Sequence, residues 1–266
     1  MTSIPLTDSG LRNVKRALQV RFPDEKSSHL TEALAAACGF NSHAALLAKM
    51  QGGNPSDPDF VLLEEKPFFE RLSKIATRAT TAIDGSFSFE TLQYPSAAEI
   101  VKTESSRFHA VSYGKSARKR AWRNSMVAGI NEAIDRRLFT IRPGDNRWPG
   151  ASKDYGKTQP FTFRFSVGEI PAVASVHDAG FDELSIHVAL WPTPEGERWV
   201  KAMNAGFLAG EVFASGWLER RDGAWLQVSR GSTHGWGFSC RQNRIIQVAE
   251  LDLRPKGYAD RGSFKI

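Results

Sequence analysis

The sequence contains only two cysteines, Cys38 and Cys240, too few for a disulfide framework and typical of a protein in the reducing cytosol. It has no run of about 18 apolar residues, the length that a membrane-spanning helix requires, so no membrane span is expected. The first ten residues carry neither a basic start nor an apolar stretch, and no signal peptide is expected. These absences predict a cytoplasmic protein without a membrane anchor.

What the chain does contain is the apolar and charged material of an ordinary globular protein. Of its 266 residues, 41% are hydrophobic and 24% are charged, which excludes a disordered chain. The formal net charge of +6 is concentrated in one segment: residues 107–157 hold twelve Lys and Arg against four Asp and Glu, whereas residues 160–266 are balanced. Such a surplus is typical of a surface that binds a polyanion, and the alternative is a solvated face that keeps the protein soluble.

The hydrophobic pattern predicts three short helices before residue 50. The first runs from Asp8 to Phe22, the second from Ser27 to Gly39, and the third begins after a cap at Ser42. A polar stretch rich in Gly and Pro follows and is predicted to be a linker. We therefore expect a small helical domain at residues 1–50, a linker at residues 51–60 and an α+β domain at residues 61–266.

The larger predicted domain changes from helices to strands along the chain. Helical spacing dominates residues 61–140, apart from an extended piece at Ser86–Tyr94, and residues 141–160 are predicted to form a long loop. Alternating apolar and polar residues then predict a mainly antiparallel sheet with one packed helix at Glu195–Asn204. The predicted strands lie at Phe161–Phe165, Leu184–Leu190, Gly210–Leu218, Trp225–Val228 and Ile245–Leu253, with a hairpin turn at residues 221–223.

The second and third predicted helices meet at a tight corner around Gly39. The stretch Leu30–Leu47, an alanine-rich helix followed by Gly-Phe and Asn-Ser, resembles the small N-terminal helical domain of glyoxalase-related bacterial proteins. It is also similar to the second helix-turn-helix of AraC-type regulators, a resemblance that implies a DNA-reading helix. The other interpretations are a structural corner and a helix that docks a protein. The side chains that could face DNA are Asn41, His43 and Lys49.

A basic helix carries the strongest functional signal in the sequence. A predicted helix that opens at Tyr113 and continues through Ile134 places Trp122, Met126 and Ile130 on one buried face. Bases crowd its first turns, where the positive end of the helix dipole disfavours them and a bound phosphate would compensate. The following loop adds arginines and a tryptophan that could stack on an unpaired nucleotide or anchor the loop to the core. The predicted nucleic-acid-binding residues are Lys115, Arg118, Lys119, Arg120, Arg123, Arg142, Arg147 and Trp148.

Patterns for other chemistry are weak. The six histidines and two cysteines show no metal-ligand spacing, and no metal or cofactor is expected. Lys115 lies in a Gly-Lys-Ser triplet, but a phosphate-binding P-loop would need glycine at position 109, where His109 stands. The glycine cluster around His234 is predicted to be a hairpin turn, and it resembles the late glycine-rich loop of RAMP-type CRISPR RNA endonucleases. Closely spaced glycines let the backbone approach a ligand, so His234 is a candidate acid or base, and His109 is the other candidate in an RNA-cleaving enzyme. His177 is expected in a turn, and His187 on the sheet face opposite its apolar neighbours.

The sequence therefore predicts a bacterial accessory or regulatory protein that binds nucleic acid through a basic helix and loop. One alternative is a metal-independent RNA-cleaving enzyme. Another is an interaction subunit whose residues 1–50 dock a protein partner. The pattern does not distinguish DNA from RNA as the ligand.

Overall fold

The chain folds into two compact units of the predicted α+β class. The first unit comprises residues 1–104 and 256–258, and the second comprises residues 105–255 and 259–266. The structure is a computed structural model, and it describes residues 1–76, 87–97, 99–104, 108–154, 156–228, 232 and 235–264.

The three predicted N-terminal helices are confirmed, and local capping sets their ends. The Thr7 side chain accepts a hydrogen bond from the backbone N–H of Gly10 at 3.0 Å, and Ser42 accepts one from Ala45 at 3.2 Å. Gly39 has a φ of +84°, a left-handed conformation that stops the second helix at little steric cost. The helices are α1 (Asp8–Arg21), α2 (Ser27–Ala37) and α3 (His43–Gln51).

A small sheet, which the sequence analysis did not predict, joins these helices to the residues that follow. Its first strand, β1 (Thr2–Pro5), pairs antiparallel with both β2 (Phe60–Leu63) and β3 (Val101–Lys102). The next helix, α4 (Glu65–Ile75), packs against α2. The division of the chain therefore differs from the predicted one. Residues 51–60 were predicted to link two domains, but they lie within the first unit, because β1 before them pairs with β2 at their end.

The predicted extended piece at Ser86–Tyr94 does not form a strand in its described part. Residues Phe89–Thr91 form one turn of 3-10 helix, capped by Ser88, whose side chain accepts from Glu90 N–H at 3.2 Å. Ser86 itself lies outside the described residues. The aromatic rings of this segment pack with Phe68 of α4 in the core of the unit, which explains why their spacing does not follow a strand period.

The second unit is built on an eight-stranded sheet. Its strands are β4 (Phe108–His109), β5 (Phe161–Val167), β6 (Ile170–Gly180), β7 (Glu183–Pro192), β8 (Gly210–Glu219), β9 (Trp225–Gln227), β10 (Phe238–Cys240) and β11 (Ala259–Phe264). Their order is β4-β11-β9-β8-β7-β6-β5, and β10 also pairs with β8. All neighbours are antiparallel except β9 and β11, so the predicted mainly antiparallel sheet is confirmed. The sequence analysis did not predict β4, β6, β10 or β11.

The long helix α5 (Ala117–Asp135) packs on β7 and β8 and forms the centre of the second unit. Trp122, Met126 and Ile130 are fully buried on its inner face, as predicted. Gly129 lets the helix approach β7 closely, since a Cβ there would lie 2.5 Å from Cγ2 of Val188. This contact shows that the even-numbered residues of β7 point toward α5.

Two predicted elements near the C-terminus differ from the structure. The packed helix expected at Glu195–Asn204 is the single turn α6 (Gly196–Trp199), and the strand expected at Ile245–Leu253 is wrong, because Ile245–Ala249 form the helix α7. The buried amide of Asn124 in α5 donates to the carbonyl oxygens of Val248, at 2.8 Å, and Leu251, at 3.0 Å. This tertiary contact holds a short helix where the apolar run suggested a strand.

Candidate functional site

The start of α5 carries three basic side chains that no carboxylate among the described residues neutralises. Ser116 caps the helix by accepting a hydrogen bond from Lys119 N–H at 3.2 Å. Lys115 is exposed, Lys119 and Arg120 are half-buried, and Arg120 donates to Gly114 O at 2.9 Å. In the part of the chain that the structure describes, none of the three forms an ion pair with a carboxylate. We call Lys115, Lys119 and Arg120 the α5 basic cluster.

The two other arginines in the first turns of α5 attach the helix to the unit. Arg118 donates to Phe238 O at 2.7 Å, and its guanidinium lies 4.8 Å from the centre of the Phe238 ring. Arg123 forms a two-pronged ion pair with Asp260, at 3.0 and 2.9 Å, and donates to Leu253 O at 2.6 Å. Arg123 is thus held within the fold, which argues against its predicted role in nucleic-acid binding.

The long loop, residues 141–160, has no helix or strand among its described residues, as predicted. Its tryptophan, Trp148, is only 2% exposed, and its indole N–H donates to Gln159 O at 2.9 Å. A ring that is covered on both sides cannot stack on a base without leaving the core. The structure therefore argues against the predicted stacking role and supports the alternative, in which Trp148 anchors the loop.

The predicted arginines of the loop are also engaged or partly covered. Arg147 forms a two-pronged ion pair with Asp145, at 2.7 and 2.9 Å, and Arg142 is half-buried. Burial raises the pKa of Asp145, but hydrogen bonds from Arg147 and Thr140 outweigh it and hold the pKa below its ordinary value. Asp145 therefore stays charged and neutralises Arg147, so the loop adds less free positive charge than its composition suggested.

Sequence reasoning missed an exposed tryptophan, Trp236. It lies between β9 and β10 and is 43% exposed, and its ring meets that of Trp217 edge-on with 6.0 Å between the centres. It precedes Phe238, the partner of Arg118, by two residues. The glycines on either side of Trp236 could have drawn attention to it, but the sequence analysis considered only His234 in that cluster. Gly235–Gly237 form a 3-10 turn rather than the tip of a hairpin between paired strands.

On the side of the sheet that points away from α5, polar side chains lie next to one another. We call this group the polar face. Its residue His187 is 1% exposed, with Nδ1 2.9 Å from Ser215 Oγ and Nε2 3.2 Å from Ser185 Oγ. Burial lowers the pKa of His187 to about 4, with a smaller contribution from His177, so the ring is neutral at pH 7. The prediction that His187 faces away from its apolar neighbours is confirmed. The polar face comprises Ser175, His177, Ser185, His187, Ser215, Trp217, Glu219 and Gln227.

His177 belongs to this face because it lies in β6, not in the predicted turn. It pairs with Ser185 of β7, and its ring stacks on that of His187 with 6.2 Å between the centres. The local capping expected beside it does exist, since Asp178 accepts a hydrogen bond from Gly180 N–H at 2.8 Å. The chain therefore does turn after this segment, but the turn begins at the end of β6, about two residues later than predicted.

A pair of carboxyl groups, the buried Glu219 and the half-buried Glu183, lies at one end of the polar face. The Gln227 amide donates to Glu183 at 2.9 Å and to Glu219 at 3.3 Å, and Arg221 N–H donates to Glu219 at 2.8 Å. Burial, together with the hydrogen bond to Glu183, raises the pKa of Glu219 to about 7. The Glu219 side chain has no exposed surface, so it titrates inside the unit.

The two histidines predicted as catalytic candidates do not meet in a described site. His109 is exposed on β4, at the edge of the large sheet, and His234 lies outside the described residues. Across the residues that the structure describes, no three His, Cys, Asp or Glu side chains come together as a metal site. No helix in that same part of the chain is both long and apolar enough to cross a bilayer.

The Gly-Phe corner of the first unit forms as expected, and contacts within the unit hold its backbone and pair the Lys49 side chain. Glu32 of α2 accepts a hydrogen bond from the backbone N–H of His43 at 3.2 Å and so reinforces the cap of α3. Lys49 forms an ion pair with Asp59 at 3.0 Å, and the backbone oxygen of Asn41 accepts from Arg71 at 2.8 Å. These contacts provide a structural reason for the corner and leave α3 with little charge for a DNA phosphate.

Comparison with known proteins provides no relative, since no family model, curated protein or solved structure matches this chain.

Proposed function

We propose that the protein binds nucleic acid by its phosphate backbone, through the α5 basic cluster of Lys115, Lys119 and Arg120. The observation that carries the proposal is that these three cations have no carboxylate partner in the described part of the chain, whereas Arg123 and Arg147 do. Their position at the positive end of a 19-residue helix is unfavourable without an anion. A phosphate there gains from the side chains and the helix dipole together.

The sign and the place of the charge favour a polyanion over a small acidic ligand. Residues 107–157 contain twelve bases and four acids, so the field around α5 extends beyond one bound group. Arg118 lies in the same turns and orients the helix start through Phe238. We therefore propose an accessory or regulatory role for the protein, in the cytoplasm, with nucleic acid as its partner and DNA and RNA both allowed.

The salt dependence of binding tests this proposal. The probes are fluorescently labelled duplex DNA, single-stranded DNA and hairpin RNA, titrated by anisotropy at several salt concentrations. The test variant replaces Lys115, Lys119 and Arg120 by Gln. Each phosphate contact contributes about 0.7–0.9 to the slope of log affinity against log salt, so we expect the variant's slope to fall by about 2 to 3.

A matched variant controls for net charge. Lys66→Gln, Lys74→Gln and Lys153→Gln remove the same charge from three exposed positions outside the α5 basic cluster. This control should bind with nearly the wild-type slope. Equal affinities for the wild type and the cluster variant would refute the proposal. A gel of the same samples with chelator present would detect RNA cleavage, the outcome that would favour an enzyme instead.

A further inference from the structure

The outer face of helix α1, in the first unit, carries three bases without a partner among the described residues. Arg12 and Arg16 are exposed and Lys15 is half-buried, whereas Val14 and Leu18 on the inner face lie in the core of the unit. Within the part of the chain that the structure describes, none of the three bases forms a hydrogen bond, an ion pair or a ring contact. We call Arg12, Lys15 and Arg16 the α1 basic face.

Helix geometry brings these three bases together. Residues three and four apart lie on one side of a helix with about 5–6 Å between their Cβ atoms, so Lys15 and Arg16 both neighbour Arg12, and like charges at this spacing repel. No Asp or Glu lies three or four residues from Lys15 or Arg16. Asp8 precedes Arg12 by four residues, but the two form no ion pair in the described chain. A bound anion would remove this repulsion.

Other exposed helix surfaces of the chain pair their bases with acids. On α4, Nζ of Lys66 lies 3.8 Å from a carboxylate oxygen of Glu70, and on α5, Nε of Arg136 lies 2.6 Å from one of Glu132. Residues 1–60 contain six Lys and Arg and six Asp and Glu, so the surplus on α1 arises from the order of the residues and not from the composition. A helix face of unpaired cations is typical of a surface that binds a polyanion.

The buried side of α1 favours a nucleic acid over an anionic membrane as that polyanion. A helix that lies on a membrane inserts its apolar face into the lipid, but the apolar face of α1 is buried in the core of the first unit. Beside the bases, α1 exposes Gln19 and a single apolar side chain, Val20. Phosphates of a nucleic acid bind to cations without any apolar contact.

We propose that α1 is a second nucleic-acid-binding surface, on which Arg12, Lys15 and Arg16 contact phosphates of the backbone. The protein then has one such surface in each unit, the α1 basic face in the first and the α5 basic cluster in the second. The inference rests on the proposed function for the identity of the ligand. It extends that function, because contacts from both units add to the number of phosphates that the protein neutralises. Phosphate contacts carry no sequence information, so we expect no sequence preference at α1.

The salt dependence of binding by the full-length chain tests the inference. The α1 variant replaces Arg12, Lys15 and Arg16 by Gln, which removes the charge and keeps a high helix propensity. The probes are labelled duplex DNA, single-stranded DNA and hairpin RNA. We expect the slope of log affinity against log salt to fall by about 2 to 3 for the probes that the wild type binds. Arg12→Lys combined with Arg16→Lys keeps the charge and should keep the wild-type slope.

Lysine acetylation followed by mass spectrometry provides a second readout, which needs no variant. A saturating probe at low salt should protect Lys15 and Lys115 from acetylation and leave Lys66 and Lys74 reactive. Equal acetylation of Lys15 with and without the probe would contradict the inference.

The outcomes separate this inference from the proposed function. If the α1 variant keeps the wild-type slope while the α5 cluster variant loses slope, this inference fails and the proposed function stands. If only the α1 variant loses slope, this inference holds and the α5 site fails. If the wild type binds no probe at low salt, both fail. Binding to vesicles of phosphatidylcholine and phosphatidylglycerol that the α1 variant loses, with an unchanged slope for nucleic acid, would overturn the inference in favour of a membrane.

Discussion

The two faces of the large sheet differ in the side chains that β7 buries on them. Toward α5, β7 presents Leu184, Ile186 and Val188, all fully buried under the helix. On the polar face, the same strand presents Ser185 and His187, which are just as buried but hydrogen-bonded among themselves. One strand therefore supplies an apolar core on one side and a buried polar network on the other.

The difference separates two kinds of contribution to the free energy of folding. Apolar burial contributes about 25 cal/mol per Å² of surface, whereas a buried polar group gains little even when it is fully hydrogen-bonded. We expect changes on the α5 face to affect stability at every pH. Changes on the polar face should appear mainly as changes in pH dependence, because His187 and Glu219 both have shifted pKa values.

The largest effect is expected from Trp122→Ala on the α5 face. The ring is fully buried, and its indole N–H satisfies Ser215 O at 3.1 Å. Truncation leaves a cavity and an unpaired carbonyl, and we expect a loss of about 3–5 kcal/mol in the free energy of unfolding. Urea unfolding followed by circular dichroism measures it. A loss below about 1 kcal/mol would mean that α5 is not the centre of this core.

The next effect concerns His187 and acid. Burial lowers its pKa from 6.5 to about 4. Between these pH values His187 is protonated in the unfolded chain and neutral in the folded chain. Stability should therefore fall as the pH drops from 6.5 to about 4, by up to about 3 kcal/mol. His187→Gln should remove this part of the pH dependence. Parallel stability curves for the two proteins over that range would contradict the assignment.

A smaller effect is expected from Gly129→Ala, again on the α5 face. The new Cβ would lie 2.5 Å from Cγ2 of Val188, and the strain should outweigh the gain in helix propensity, for a net loss of about 1–2 kcal/mol. The double variant Gly129→Ala with Val188→Ala removes the clashing methyl. Its loss should be smaller than the sum of the two single losses, and simple additivity would show that α5 can move away from β7.

The smallest effect is expected from Glu219→Gln at the carboxyl pair. The raised pKa means that the folded state loses stability as the pH rises from 4.5 through about 7, because Glu219 must then ionise beside Glu183. Gln has the same size and no charge. We expect the variant to melt about 1–3 °C higher than the wild type at pH 8 and at a similar temperature at pH 5. An equal difference at both values would exclude repulsion as the cause.

Much of the fold could be predicted because its signals are local. Thr7, Ser42 and Gly39 mark helix ends by their own chemistry, and the alternation in Phe161–Phe165 and Leu184–Leu190 marks strands. The run Ile245–Leu253 has no such marker. It became α7 because Asn124, more than a hundred residues away, binds its carbonyl oxygens. β11 was missed for a similar reason, since its pairing partner β9 is distant in the chain.

The candidate site was only partly predictable for the same physical reason. The crowding of bases in the first turns of α5 is visible in the sequence, and the structure keeps Lys115, Lys119 and Arg120 without a carboxylate partner in its described part. The sequence could not show that Trp148 is buried, nor that Trp236 is the exposed ring. Exposure depends on which distant residues cover a side chain, and hydrophobicity alone does not report it.

The sequence by itself therefore determined the helix caps, the strand alternation and the excess of positive charge near α5, because each depends on residues a few positions apart. The tertiary structure decided which of those charges is neutralised. Arg123 meets Asp260 across 137 residues of chain, whereas the α5 basic cluster meets no acid among the described residues. The energy of an ion pair depends on the distance between the two charges, and only the fold sets that distance for residues far apart in the chain.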